Sequence, residues 1–293
     1  MIKITKSLDN IPESLKPAFA DLFPDRIRRN VVSIPQHSNK THERRMQVIE
    51  AGFYPSQDPA KVIYITNDDN STSKIPTKNY NSRYKLDDIR DALNIIYKGK
   101  CAFCEQKEEL THVEHFRPKD TYYWLAFSWD NLLMSCPTCN THKSTNFEID
   151  GVLVNFENTE LNIRNINSSS TTYDAIEIPK MVNPEVTDPN GLIYFEKDGS
   201  IKSDNPRFSY TIETCKIDRK SLNDSRRSLL DRFRQHIRDA FIINANEHDQ
   251  QVAITTNTRN FIRDSINENE DFLAFRRFAI ANNWMNDIIK DIN

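Results

Sequence analysis

The chain has 293 residues, a net charge of −3, a pI near 6.2, 38% apolar content and a mean hydropathy of −0.67. Its aromatic residues (Phe 16, Tyr 10, Trp 3) are enough to fill a core, which excludes a disordered chain, and the acidic balance excludes a uniformly basic nucleic-acid binder. Five glycines exclude Gly-rich linkers and a Gly-rich phosphate loop, and the missing apolar signal or membrane run predicts a cytoplasmic protein with reduced thiols.

Residues 1–82 read as a mixed α/β region. Residues 11–19 predict a short helix with proline breaks, 61–66 a strand, and the polar stretch 67–82 a loop. Residues 83–150 form the central unit. Leu86, Ile89, Leu93 and Ile96 lie on one helical face, and Gly99 is placed to end that helix. Residues 151–293 read as hairpins and a mainly helical C-terminal region suited to partner binding. A hairpin is expected over 148–156 with Asp150-Gly151 at its turn, an exposed loop over 162–173, and a second hairpin from Leu192 to Ile201 around Asp198-Gly199. Leu222, Leu229, Leu230, Phe233, Ile237 and Phe241 share a helical face. Phe272, Phe275, Phe278, Trp284, Met285 and Ile288 predict a final buried or interface helix.

Four of the five cysteines form two C-x-x-C pairs, Cys101/Cys104 and Cys136/Cys139. In a reducing compartment such pairs favour metal over disulfides, and four thiolates close a tetrahedral zinc site that is structural, since catalytic zinc keeps an open position. The fifth, Cys215, has no partner in sequence and is expected as a small buried apolar residue.

Between and after the pairs stand His112-Val-Glu114-His115-Phe-Arg117-Pro118-Lys119, Trp129-Asp-Asn131, and Asn140-Thr-His142-Lys143. Here residues 100–147 resemble the HNH endonucleases, the ββα-metal nucleases. The resemblance implies an α+β fold with a ββα-metal HNH core clipped by a four-cysteine zinc site. Glu114-His115 matches the acid-His pair ending the first strand, Asn131 the central Asn, and Asn140 the helix position that is often His. The catalytic set it implies is His115, Glu114, Asn131, Asn140 and Lys143. A neutral His is suited to deprotonating a water near pH 7. Asn131 is expected to hold the His115 imidazole by a side-chain hydrogen bond, and Lys143 to contact a phosphate. Glu114 and Asn140 offer oxygens to Mg²⁺ or Mn²⁺, so two metals with separate tasks are implied. His112 and His142 are weighed as structural or solvent-facing.

The wording around these residues looks like one HNH subgroup, the nuclease subunit of Septu anti-phage systems and of related retron systems. That resemblance implies a DNA endonuclease acting in phage defence beside an ABC-type ATPase subunit. The competing readings are a zinc-stabilised binding module without turnover and an HNH nuclease acting on RNA. Residues 101–147 hold four basic and six acidic residues, so substrate charge is expected to be met elsewhere. Two stretches qualify, 26–45 (including Arg26, Arg28 and Arg29) and 216–238, each with net +5.

Overall fold

The computed structural model describes residues 1–18, 36–56, 58–244 and 246–292, in an α+β arrangement with three two-stranded antiparallel sheets. Short 3-10 turns at Leu8–Asn10 and Glu13–Leu15 precede helix α1 (Gln36–Ala51). Strands β1 (Tyr64–Thr66) and β2 (Thr72–Lys74) follow, then helices α2 (Thr77–Asn81) and α3 (Asp87–Tyr97). The stretch 67–82 is therefore not simply a loop. β2 pairs with β1 (Ile65 opposite Ser73) while its own side chains stay exposed, and a strand wet on both faces carries no hydrophobic pattern to reveal it. Helix α3 obeys its periodicity, burying Ile89, Leu93 and Tyr97. It stops where Lys98 and Gly99 turn left-handed, at φ 55° and 70°.

The central hairpin is β3 (His112–His115) against β4 (Leu132–Ser135), with Glu114 opposite Leu133 and His115 opposite Leu132. Helix α4 (Pro137–Lys143) follows at once. Its start is dictated by sequence: Pro137 occupies the first turn, and Cys136 caps it by accepting the Cys139 N–H on Sγ at 3.3 Å. The helix cap is thus also one of the four clustered cysteines.

Two expectations fail downstream. Residues 148–156 form no hairpin. The N–H groups of Asp150, Gly151 and Val152 instead donate to the carbonyls of Ile178, Glu177 and Ile176 at 3.1, 2.8 and 3.2 Å. Gly151 is needed for that close approach, because a Cβ there would lie 2.0 Å from the Ile176 carbonyl oxygen. Residues 162–173 are not an exposed loop either. They contribute to α5 (Glu160–Arg164) and α6 (Ser169–Thr172), followed by α7 (Asp174–Glu177), with Ile163, Ile166 and Ser170 buried. Ile163 and Ile166 pack with Tyr122, Trp124 and Leu125 from the hairpin loop.

The second hairpin pairs β5 (Tyr194–Phe195) with β6 (Ile201–Lys202), as its sequence predicts. Helices α8 (Pro206–Thr214), α9 (Lys220–Ile243), α10 (Glu247–Ile266), α11 (Leu273–Ala281) and α12 (Trp284–Ile292) complete the chain. On α9, Leu222, Leu229, Leu230, Phe233 and Ile237 are buried, and Phe241 is half-buried. One apolar cluster runs from Tyr97, Phe103 and Trp129 through Phe195 and Phe233 to Phe275 and Ile288, so the C-terminal helices pack onto the same core as the central hairpin. Among the described residues no helix is long and apolar enough to cross a membrane.

Candidate active site

The four cysteines converge. The Sγ atoms of Cys101, Cys104, Cys136 and Cys139 all lie within 4.8 Å of one another, and all four residues are buried. Four sulfurs tetrahedral around zinc, at Zn–S of about 2.3 Å, would stand roughly 3.8 Å apart, so this group can hold a zinc ion. Backbone supports the first knuckle: Glu105 N–H donates to the Cys101 carbonyl at 3.0 Å, and Glu105 takes φ 64° to allow it. Cys215 is also fully buried.

Sequence reasoning missed Arg219. Its Nη1 lies 3.5 Å from Cys139 Sγ and its Nη2 3.9 Å from Cys136 Sγ. Burial, the largest single cause, works against its charge, but the sulfurs of Cys139, Cys104 and Cys136 together outweigh it and raise the guanidinium pKa further. A zinc ion with four thiolates carries a formal charge of about −2, which a guanidinium at this place offsets. Arg219 also precedes α9, so it ties that helix to the cysteine cluster.

The hairpin carries two of the candidate residues, Glu114 and His115. His115 is buried, and its Nε2 meets the Ala126 carbonyl at 2.9 Å. A carbonyl only accepts, so Nε2 carries the ring proton and Nδ1 is left with its lone pair. Burial, then the nearby Lys119 charge, holds the His115 pKa well below its usual value, so the ring is neutral near pH 7. Tyr84 sets its ring edge-on to the imidazole, centroids 4.5 Å apart.

Asn131 does not perform the expected role. Its Nδ2 donates to the carbonyls of Arg117 (3.0 Å) and Leu125 (3.3 Å), while its Oδ1 accepts from Arg117 N (2.8 Å) and Ser170 Oγ (3.1 Å). The amide is spent on the loop leading to Ala126, so it positions His115 through the backbone carbonyl rather than by direct contact. Beside it, Arg117 is fully buried, donating to Glu177, Ser170 and Asp174 at 2.8, 3.1 and 2.7 Å. The segment read as a loop is the buttress of this hairpin.

Lys143 does not stand in the expected phosphate-facing position. It is fully buried, with Nζ donating to Glu114 Oε1 and to the His115 carbonyl, both at 2.7 Å. A phosphate cannot reach an ammonium enclosed there. Lys143 clamps α4 to β3 and neutralises part of the Glu114 charge.

Glu114, His115 and Asn140 line one open cavity of about 360 Å³, together with Lys119, Asp120, Thr141, Ser144 and Thr145. Asn140 donates from Nδ2 to His112 Nδ1 at 2.9 Å, which leaves its amide oxygen for a cation. His112 therefore orients Asn140. The signal was its placement two residues before Glu114, on the same side of the strand. His142 is exposed. The second oxygen of Glu114 and the Asn140 oxygen form a hard, oxygen-only donor pair suited to Mg²⁺ or Mn²⁺.

Part of each basic stretch is paired within the protein. Arg26, Arg28 and Arg29 lie outside the described residues. Lys40 and Arg44 pair with Glu43, and Arg45 is buried against the Leu15 and Phe127 carbonyls. In the second stretch Arg226 is buried, and Lys220, Arg227 and Arg234 pair with Asp224 or Asp231.

A zinc-competent clip around a β-hairpin and helix that display an acid, a neutral His and an Asn is the arrangement of a ββα nuclease. Residues 101–146 match the HNH endonuclease family, and this stretch is an HNH domain. Among curated proteins, the chain is 30% identical over 162 residues to the Septu protein PtuB of Bacillus mycoides (strain KBAB4), covering 49% of this chain and 51% of that protein. It is 37% identical over 91 residues to the Septu protein PtuB of Bacillus thuringiensis, covering 30% of this chain and 34% of that one. The matched region therefore spans about half or less of these relatives.

Proposed function

We propose that the protein is a metal-dependent endonuclease that hydrolyses phosphodiester bonds in DNA and acts in anti-phage defence. The observation that carries this reading is the His115 imidazole, neutral, with Nε2 bound to the Ala126 carbonyl and Nδ1 keeping its lone pair, on a residue that lines one cavity with Glu114 and Asn140. A binding module has no need of such a base.

In this reading His115 Nδ1 takes the proton of the attacking water. Glu114 and Asn140 hold the catalytic Mg²⁺ or Mn²⁺, and the bound ion supplies positive charge for the phosphoryl and leaving oxygens. One carboxylate and one amide make a sparse ligand set, and Lys143 already shares the Glu114 charge. Ion binding is then weak, with activity requiring ion on the order of millimolar. The four cysteines hold zinc as a structural clip, which favours a reducing cytoplasm. The likeness to the Septu proteins supports a defence role beside an ABC-type ATPase, with the C-terminal helices as its docking region.

The test is to incubate the purified chain with supercoiled plasmid, linear duplex and structured RNA, each with Mg²⁺, Mn²⁺ or EDTA. Nicking of DNA that needs the divalent ion supports the proposal. Cleavage of RNA alone moves the substrate, and no cleavage with or without the ATPase overturns the nuclease reading.

A further inference from the structure

We propose that Lys119 is the residue that receives the substrate phosphate at this site, an inference that rests on the nuclease reading above. With Lys143 buried under Glu114, the HNH unit needs another positive group facing the substrate. Among the described residues lining the cavity with Glu114, His115 and Asn140, Lys119 is the cation. Its Nζ lies 5.3 Å from the centroid of the Tyr54 ring and 6.0 Å from that of Tyr84. Both tyrosines are buried, at 1% and 5% exposure, so they form fixed walls. Tyr84 also contacts the His115 ring, which links the ammonium to the base through one rigid side chain.

The other charges around Lys119 are Glu114 and Asp120, which favour its ammonium, and Lys85 and Lys143, which oppose it. Among the described residues no carboxylate comes within the 4 Å of an ion pair. Contrast Lys143, whose charge is met at 2.7 Å. Burial, the largest cause, lowers the Lys119 pKa, so the protein bears the cost of desolvating this ammonium without pairing it. Aromatic faces hold a cation without neutralising it, which keeps the charge available to an anion. A phosphodiester carries one negative charge per linkage and fits that vacancy in the local charge balance. Lys85, on an exposed turn with its Nζ 5.3 Å from the Tyr84 ring, extends the same positive edge outward.

The experiment compares wild type, Lys119→Met and Lys119→Arg. Methionine keeps an apolar stem against Tyr54 and removes the charge, while arginine keeps the charge. Single-turnover cleavage of supercoiled plasmid in Mn²⁺ is measured first. Binding of a fluorescein-labelled 20-bp duplex in EDTA is then measured across a salt series. Lys119→Met is expected to lose about 100-fold in cleavage, as when one donor to a developing oxyanion is removed. It is also expected to reduce the slope of log K against log salt by about one, as for one lost phosphate contact. Lys119→Arg should keep the slope and lie within about 10-fold of wild type. Zinc content and Tm should match wild type in both. Wild-type cleavage and slope in Lys119→Met overturn the proposal, as do equal losses in both variants with an unchanged slope, which indicate a packing role. If the wild type binds but cuts nothing, the nuclease reading fails separately and the slope alone decides Lys119. A wild type that neither cuts nor binds overturns both.

Discussion

Replacing Lys143 with methionine separates a buried clamp from a surface phosphate contact. The Lys143 ammonium is 0% exposed and the Glu114 side chain 8% exposed, with a 2.7 Å contact between them. At an effective dielectric of about 20, two unit charges at that separation attract by about 6 kcal/mol, and the desolvation of both ions offsets most of it. The pair as a whole is therefore worth little, but removing one member is costly. Lys143→Met leaves Glu114 as an uncompensated buried carboxylate and deprives the His115 carbonyl of its donor, at about 3–5 kcal/mol. Glu114→Gln strands the ammonium at a similar cost. The double variant removes both charges, so its loss is expected to fall about 3 kcal/mol short of the sum. Urea unfolding at pH 7.5 with zinc present measures all four proteins. Additivity within about 0.5 kcal/mol, or a loss below about 1 kcal/mol in Lys143→Met, refutes the clamp. An exposed phosphate-binding lysine would give that second outcome. The same series in Mn²⁺ adds an internal check. The ion should stabilise Lys143→Met more than wild type, because only there is it the sole cation on Glu114.

Three further expectations follow from individual contacts. Asn131→Ala should cost about 1–3 kcal/mol for each buried backbone partner it strands and should lower cleavage through the displaced Ala126 carbonyl; a stable variant with wild-type activity would contradict that role. Arg219→Ala should weaken zinc affinity by about 10–100-fold, read by competition with a chromogenic chelator, and unchanged affinity would show that the guanidinium does not tune the thiolates. For His115, the folded pKa lies below the usual 6.5 because the buried ring resists protonation, so the active neutral form persists as pH falls through that value. The kcat/KM profile should therefore stay flat from pH 7.5 to about 6.5 and fall only below it, and an acid limb at or above 6.5 would contradict the burial.

The parts of the site legible in sequence were those fixed by local geometry. Two x-x spacings place thiolates on knuckles, Glu114-His115 ends a strand, and Cys136-Pro137 starts a helix, all within a few residues. The illegible parts were partners distant in sequence. Nothing local shows that Asn131 bonds to Arg117 and Ser170 rather than to His115, or that Lys143 turns inward to Glu114. The stretch 162–173 looked solvent-exposed because Asn, Ser and Thr are polar. Ser169 and Ser170 are nevertheless buried, and Thr171 N and Oγ1 donate to Asp130. Polar composition marks unmet hydrogen-bonding capacity, and a protein partner satisfies it as well as water does. Gly151 misled for a related reason: a glycine demanded by close backbone approach has the same letter as one demanded by a turn.

The claim on which the rest depends is that His115, oriented by Ala126, is the base of a metal-dependent nuclease. Single-turnover cleavage of a labelled DNA duplex in Mn²⁺ by wild type and His115→Ala tests it most directly, with zinc content measured on both. The expected result is a loss of about 10²–10⁴-fold in the variant with the zinc intact. Cleavage by the variant at the wild-type rate, with the same dependence on the ion, would contradict the assignment.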